Sequence, residues 1–244
     1  MNPKPYLRSI ELNRESIESF EEFPFSVPVV RELDRLEFHP DVTFFVGENG
    51  SGKSTLIEAI ALGMGFGAAG GTRNVRFETT ESRSRLSEHL KLVRSIAKPE
   101  DYYFLRAESF YNVATYMDSV GYLGGYGGQS LHERSHGEAF LATLNTKLRG
   151  KGFYLFDEPE AALSPQRQLT ALAAIHQLVE NDSQLIIATH LPILMAYPSA
   201  KIVLFDETGL REIAYEETEN YAVTRDFLNH RERMLHHLLE DEDD

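Results

Sequence analysis

One stretch constrains the fold more than any other: Asp41 to Leu62, reading DVTFFVGENGSGKSTLIEAIAL. Val42 to Val46 is an apolar, β-branched and aromatic run of the kind that forms a strand buried on both faces. Gly47, Gly50, Gly52, Lys53 and Ser54 then match the spacing G-x-x-x-x-G-K-[ST], and Thr55 to Leu62 continues as helix-forming sequence. In that strand, loop, helix order, glycines let successive backbone N–H groups turn inward around phosphate oxygens. The helix N-terminus adds the positive end of its dipole. Lys53 is placed to neutralise β- and γ-phosphates, and the Ser54 hydroxyl to take one Mg²⁺ position, while Glu48, Asn49, Ser51 and Thr55 complete the loop's lining. The spacing establishes nucleotide binding as the expectation. By itself it says nothing of hydrolysis.

Composition sets outer bounds. The chain has 244 residues, 42% of them hydrophobic, enough to bury a substantial core as one α/β domain with an insertion. It contains no cysteine, which excludes disulfides and thiolate metal sites. No apolar run reaches the length needed to cross a bilayer, and the N-terminus MNPKPYLRSIELNRES lacks the apolar core of a secretory signal, so a cytoplasmic location is expected. A formal charge of −14 argues against holding nucleic acid by phosphate neutralisation alone, although a local basic patch can coexist with an acidic total.

Before the loop, Tyr6 to Leu12 and Leu33 to Phe38 read as strands separated by a charged segment and by Pro24 and Pro28. Phe20, Phe23 and Phe25 either stack on an adenine or pack a small β layer. After it, Gly63 to Gly71 reads as a flexible loop, and Thr72 to Arg106 carries Arg73, Arg76, Arg83, Arg85, Lys91, Arg94, Lys98 and Arg106 against fewer acids. That basic segment faces solvent, a polyanion or an acidic partner. Tyr102 to Leu105 reads as a strand, and Gly121 to Gly128 as a mobile loop.

The second chemical landmark is FYLFDEPE, Phe153 to Glu160. Its four apolar residues make a buried strand, with Asp157 and Glu158 emerging at the carboxyl end, where open α/β sheets place ligands. Asp157 can hold Mg²⁺, and Glu158 can orient or deprotonate an attacking water. A third strand, Gln184 to Ala188, ends in Thr189 and His190, and an imidazole at such a tip can donate a hydrogen bond to a γ-phosphate or to water. Thr218 to Leu239 reads as one C-terminal helix whose stripe of Phe227, Leu228, Met234, Leu235, Leu238 and Leu239 packs on the domain or docks a partner. An acidic tail follows at Glu240 to Asp244.

Together these motifs resemble the ABC-type ATPases, including the soluble SMC-like branch. GENGSGKST at Gly47 to Thr55 is similar to Walker A, FYLFDEPE to Walker B with its following glutamate, and ATH at Ala188 to His190 to the switch histidine. Ser135, His136, Gly137 and Glu138, just before a helix read as Ala139 to Leu148, look like a variant signature motif. Ala162 to Pro165 falls at the D-loop. The resemblance implies an α/β P-loop NTPase fold of ABC-ATPase type: a mostly parallel central sheet with helices on both faces, a small antiparallel β layer, and a helical and loop insertion. The expected division is a core of residues 1–62 and 150–215, an insertion over 63–149, and a C-terminal helix and tail over 216–244. It further implies ATP and Mg²⁺ as cofactors, catalysis by Glu158, His190 and Lys53, and a head-to-tail homodimer. In that dimer Ser135, Gly137 and Glu138 of one copy close over ATP held by the other.

Two departures stand out. His136 occupies a place where the family has a small residue, and no glutamine comes after the Tyr102 to Leu105 strand, leaving Glu108 as the nearest candidate metal-side residue. The segment between the landmarks is too short and too interrupted by Gly and Pro for a long coiled coil. The reading is therefore an ATPase that switches conformation on dimerising, with an unidentified protein effector left open. A DNA-associated repair or defence ATPase and a non-hydrolysing nucleotide-gated scaffold are the alternatives.

Overall fold

The computed structural model describes residues 3–67, 70–71, 85–106, 115, 136–159 and 163–239. Its strands are β1 (Leu7–Leu12), β2 (Arg35–Glu37), β3 (Val42–Val46), β4 (Leu90–Arg94), β5 (Asp101–Arg106), β6 (Gly152–Asp157), β7 (Gln184–Ala188), β8 (Lys201–Asp206) and β9 (Gly209–Ile213). The helices are α1 (Pro28–Arg31), α2 (Lys53–Met64), α3 (His136–Ala142), α4 (Pro165–Glu180), α5 (Pro192–Met195), α6 (Glu219–Asn229) and α7 (Arg231–Leu239).

The larger sheet has the order β5-β6-β7-β3-β8-β9, with every neighbouring pair parallel except β8 and β9. Strands in such a sheet are covered on both faces, which is why β3, β6 and β7 are buried at every position. Side chains alternate between faces with a period of two. Phe44, Tyr154, Phe156 and Ile187 face a layer formed by α3, α4 and α5, where Phe140, Ala171, Ile175 and Leu194 meet them. Phe45, Phe153, Leu155 and Ile186 face the opposite layer, made of Leu56, Ile57 and Ile60 of α2 and the smaller sheet. Each fully buried Phe, Leu or Ile contributes roughly 1.5 to 3 kcal/mol, so the two layers hold the strand tips in fixed relation.

The smaller sheet, β2-β1-β4, is antiparallel. The α/β arrangement, the mostly parallel sheet covered on both faces and the small antiparallel layer agree with the sequence reading.

Three local expectations change. The helix after the loop begins at Lys53 and runs to Met64, where Gly65 caps it at φ +91°, so Gly63 and Met64 belong to the helix rather than to a loop. Instead of one helix from Ala139 to Leu148, α3 ends at Ala142 and a π-helical turn spans Thr143–Lys147. The Thr143 and Thr146 hydroxyls bond back to the carbonyls of Ala139 and Ala142 at 2.9 and 2.5 Å there, an interaction that bends helices. The C-terminal helix is two helices broken at His230, whose φ of −130° is not helical.

Only half of the stripe expected on that helix is open to solvent, Phe227, Met234 and Leu235 being half-buried. Leu228, Leu238 and Leu239 are 70 to 75% exposed and neither α6 nor α7 holds a buried residue. Amphipathic spacing alone cannot say which surface, if any, a helix meets. Among the aromatic candidates, Phe25 is buried in the small-sheet layer, edge-on to His89 and Phe20, while Phe23 is exposed.

Candidate functional site

The site forms where β3, β6 and β7 end. β7 lies between β3 and β6, so the residues just beyond these strands converge. The ladder continues past β7, with the Thr189 N–H donating to the Phe45 carbonyl at 3.2 Å, which carries His190 alongside the loop after β3.

The loop adopts the conformation that its glycines permit. Gly47, Gly50 and Gly52 have φ of +140°, +83° and +101°, a region costly for residues bearing a Cβ. Two of the three are also packed. A Cβ on Gly47 would collide with the Phe205 carbonyl, and one on Gly52 would lie 2.7 Å from Val29 and 2.8 Å from Val27. Gly52 also occupies the N-cap of α2 without a capping side chain, leaving the first-turn N–H groups directed at the loop.

Lys53 is almost fully buried and donates from Nζ to the carbonyls of Gly47 and Glu48, both at 2.8 Å. An ammonium group held by the loop's own carbonyls marks the place where anionic oxygens fit. Ser51 Oγ, buried beside Gly47, has no hydrogen-bond partner among the described residues. Such an orphaned hydroxyl among inward-facing amides suits a phosphate. Glu48, Asn49 and Gly50 are exposed at the loop tip, and Thr55 is half-buried on α2.

Ser54 donates from Oγ to Asp157 Oδ1 at 2.9 Å, across 103 positions of sequence. Asp157 is 4% exposed. A hydroxyl and a carboxylate are hard oxygen donors that suit Mg²⁺, an ion that takes its remaining ligands from phosphate and water. Among the described residues no group of three or more His, Cys, Asp or Glu forms a protein-only metal cage.

Glu158 comes next with φ +50°, a left-handed conformation unusual for a non-glycine residue. Its N–H donates to the Ala188 carbonyl at 3.0 Å, and its Oε1 stands 3.6 Å from His190 Nε2. Burial, reinforced by the Lys53 charge and opposed by Glu158, holds the His190 pKa below its ordinary 6.5. The imidazole is therefore neutral at pH 7 and retains one donor and one acceptor nitrogen.

Arg106 was legible in the sequence only as part of a basic stretch. Register pairs it with Asp157 across β5 and β6, and its guanidinium bonds Glu58 of α2 at 2.6 Å and approaches Asp157 Oδ2 at 3.7 Å. Three other cations of that stretch also meet internal acceptors. Arg85 pairs with Glu22, Lys91 with Glu11, and Arg94 donates to the Gly63 carbonyl. Arg73, Arg76 and Arg83 lie outside the described residues, as do Glu108, Ser135, Ala162 and the Gly121 to Gly128 segment. Gly137 is buried in α3, and Glu138 pairs with Arg167 of α4 at 2.8 Å. Ser164 and Pro165 form the N-cap and first residue of α4.

Residues 16–114 match the model of a family described as an AAA domain, a span that includes the loop, Glu58 and Arg106. No curated protein matches the chain. Among solved structures, the chain is similar to the SMC head domain from Thermotoga maritima, at 16% identity over 86% of this chain and 98% of that one, with a TM-score of 0.46. It is also similar to an ATP-binding cassette of an ABC transporter in its ADP conformation, at 19% identity, 96% and 99% coverage and a TM-score of 0.48. A third is an SMC head bound to the C-winged helix domain of ScpA, at 14% identity, 90% and 100% coverage and a TM-score of 0.46.

Proposed function

We propose that the chain binds Mg·ATP at the Gly47 to Thr55 loop and hydrolyses it, using the cycle as a conformational switch. The observation that carries this reading is the 2.9 Å hydrogen bond from Ser54 to Asp157, made beside a buried Lys53 and the Glu158–His190 pair.

In this reading Lys53 exchanges its two backbone carbonyls for phosphate oxygens, and the loop amides with Ser51 Oγ surround the β-phosphate. Ser54 and Asp157 would hold Mg²⁺, which supplies neutralisation of charge on the transferred phosphoryl group. Glu158, set at the strand tip, orients the attacking water and accepts its proton. The neutral His190 donates a hydrogen bond towards the γ-phosphate. Ser135, Gly137 and Glu138 of a second copy would close over the bound nucleotide.

The deciding experiment compares turnover and particle mass for the unaltered chain and Glu158→Gln. Hydrolysis coupled to dimerisation predicts loss of turnover in the variant and an accumulated ATP-bound dimer. A nucleotide-gated scaffold has no turnover to lose. Absence of ATP binding by the unaltered chain overturns both.

A further inference from the structure

Arg106 hydrogen-bonds one carboxylate and stands at ion-pair distance from a second on a different element. Its Nη1 lies 2.6 Å from Glu58 Oε2 and its Nε 3.7 Å from Asp157 Oδ2, while Asp157 Oδ1 accepts from Ser54 at 2.9 Å. The two Asp157 oxygens thus face different groups. Ser54 and Glu58 lie four residues apart on α2, one helical turn, so a single helix presents both the hydroxyl that meets Asp157 and the anchor that holds the arginine. The cluster is enclosed: the side chains of Asp157, Glu58 and Arg106 are 4%, 13% and 21% exposed.

We propose that Arg106 is a positioning residue for the carboxylate that would hold Mg²⁺, its charge drawing Asp157 Oδ2 to one side so that Oδ1 is left facing Ser54. This rests on the Mg·ATP reading above. The rigid guanidinium fork can address two carboxylates from different nitrogens at once, which an ammonium group cannot do with fixed geometry.

A positive charge beside a dication site would ordinarily repel the metal. Here Glu58 sits closer to the guanidinium than Asp157 does and offsets part of its charge. Alignment of the ligand therefore outweighs repulsion. Partners that orient a ligating carboxylate typically contribute 10- to 100-fold in metal affinity.

The test titrates Mg²⁺ into the full-length chain held with a fluorescent N-methylanthraniloyl ATP, and measures nucleotide affinity separately in EDTA. For Arg106→Gln the Mg²⁺ half-point should rise about tenfold or more, with metal-free nucleotide affinity within about twofold of the unaltered chain. Arg106→Lys, the conservative variant should Gln fail to fold, should fall between the two. Glu58→Gln should raise the half-point as well, since it exposes the uncompensated guanidinium to the metal. An unchanged or lowered Mg²⁺ half-point in Arg106→Gln overturns the proposal, as does an equal loss of metal-free and Mg²⁺-dependent binding. If the unaltered chain binds the nucleotide without any Mg²⁺ dependence, the positioning role falls while nucleotide binding stands. If it binds none under either condition, the underlying reading falls too.

Discussion

The side chain of Gln184 serves Leu7 as a neighbouring strand would: Oε1 accepts from the Leu7 N–H at 2.9 Å and Nε2 donates to the Leu7 carbonyl at 2.8 Å. The same Nε2 lies 3.0 Å from the His39 carbonyl. One buried amide thus fastens β1 of the small sheet to the start of β7 in the large one. Replacing it with Met, of similar volume, strands the buried N–H and C=O of Leu7 at about 1 to 3 kcal/mol each. Gln184→Met should lower unfolding stability by roughly 2 to 6 kcal/mol in denaturant titrations.

Two glycines in the phosphate loop share a positive φ but differ in what surrounds them. Gly50 has open space where a Cβ would stand, whereas Gly47 faces the Phe205 carbonyl. Gly50→Ala should cost only the backbone strain, about 1 to 2 kcal/mol. Gly47→Ala adds a clash with fixed backbone and should cost more than that. Thermal melting of the two variants orders them, and equal effects would show that the contact with β8 is not rigid.

His190 should make the free protein less stable in acid. Its folded pKa lies below the unfolded value of 6.5, so the unfolded chain binds more protons as pH falls through that value. Its contribution is fully present above pH 6.5 and is lost as pH falls through 6.5 towards the lower folded pKa. The melting temperature should drop more steeply across that window for the unaltered chain than for His190→Gln. Parallel curves would remove the titration from His190.

Helix α7 should be nearly dispensable for folding. It buries no residue, and its leucines at 238 and 239 face solvent. Truncation after Asn229 should change unfolding stability by less than about 1 kcal/mol, as is usual for surface positions. Hydrogen exchange should find its amides among the least protected in the chain.

Much of the site was written locally. The Gly47 to Thr55 spacing, the apolar run ending in Asp157 and Glu158, and the strand ending in His190 each specify a strand and the groups carried at its tip. Buried strands and glycine turns are dictated by nearest neighbours along the chain, so β3, β5, β6 and β7 lie within a residue or so of their expected places.

Only the tertiary structure decided which of these ends meet and what stands between them. The order that inserts β7 between β3 and β6 brings His190 to Glu158, and the β5–β6 register turns Arg106 from a member of a basic stretch into the neighbour of Asp157. The π-helical turn after α3 and the solvent-facing C-terminal leucines were equally beyond local pattern. The sequence determined the phosphate loop and the chemistry at the strand tips, because those depend on backbone freedom and side-chain type. The partners of each charge and apolar face were settled by packing, since complementarity across distant segments exists only once the sheet has assembled.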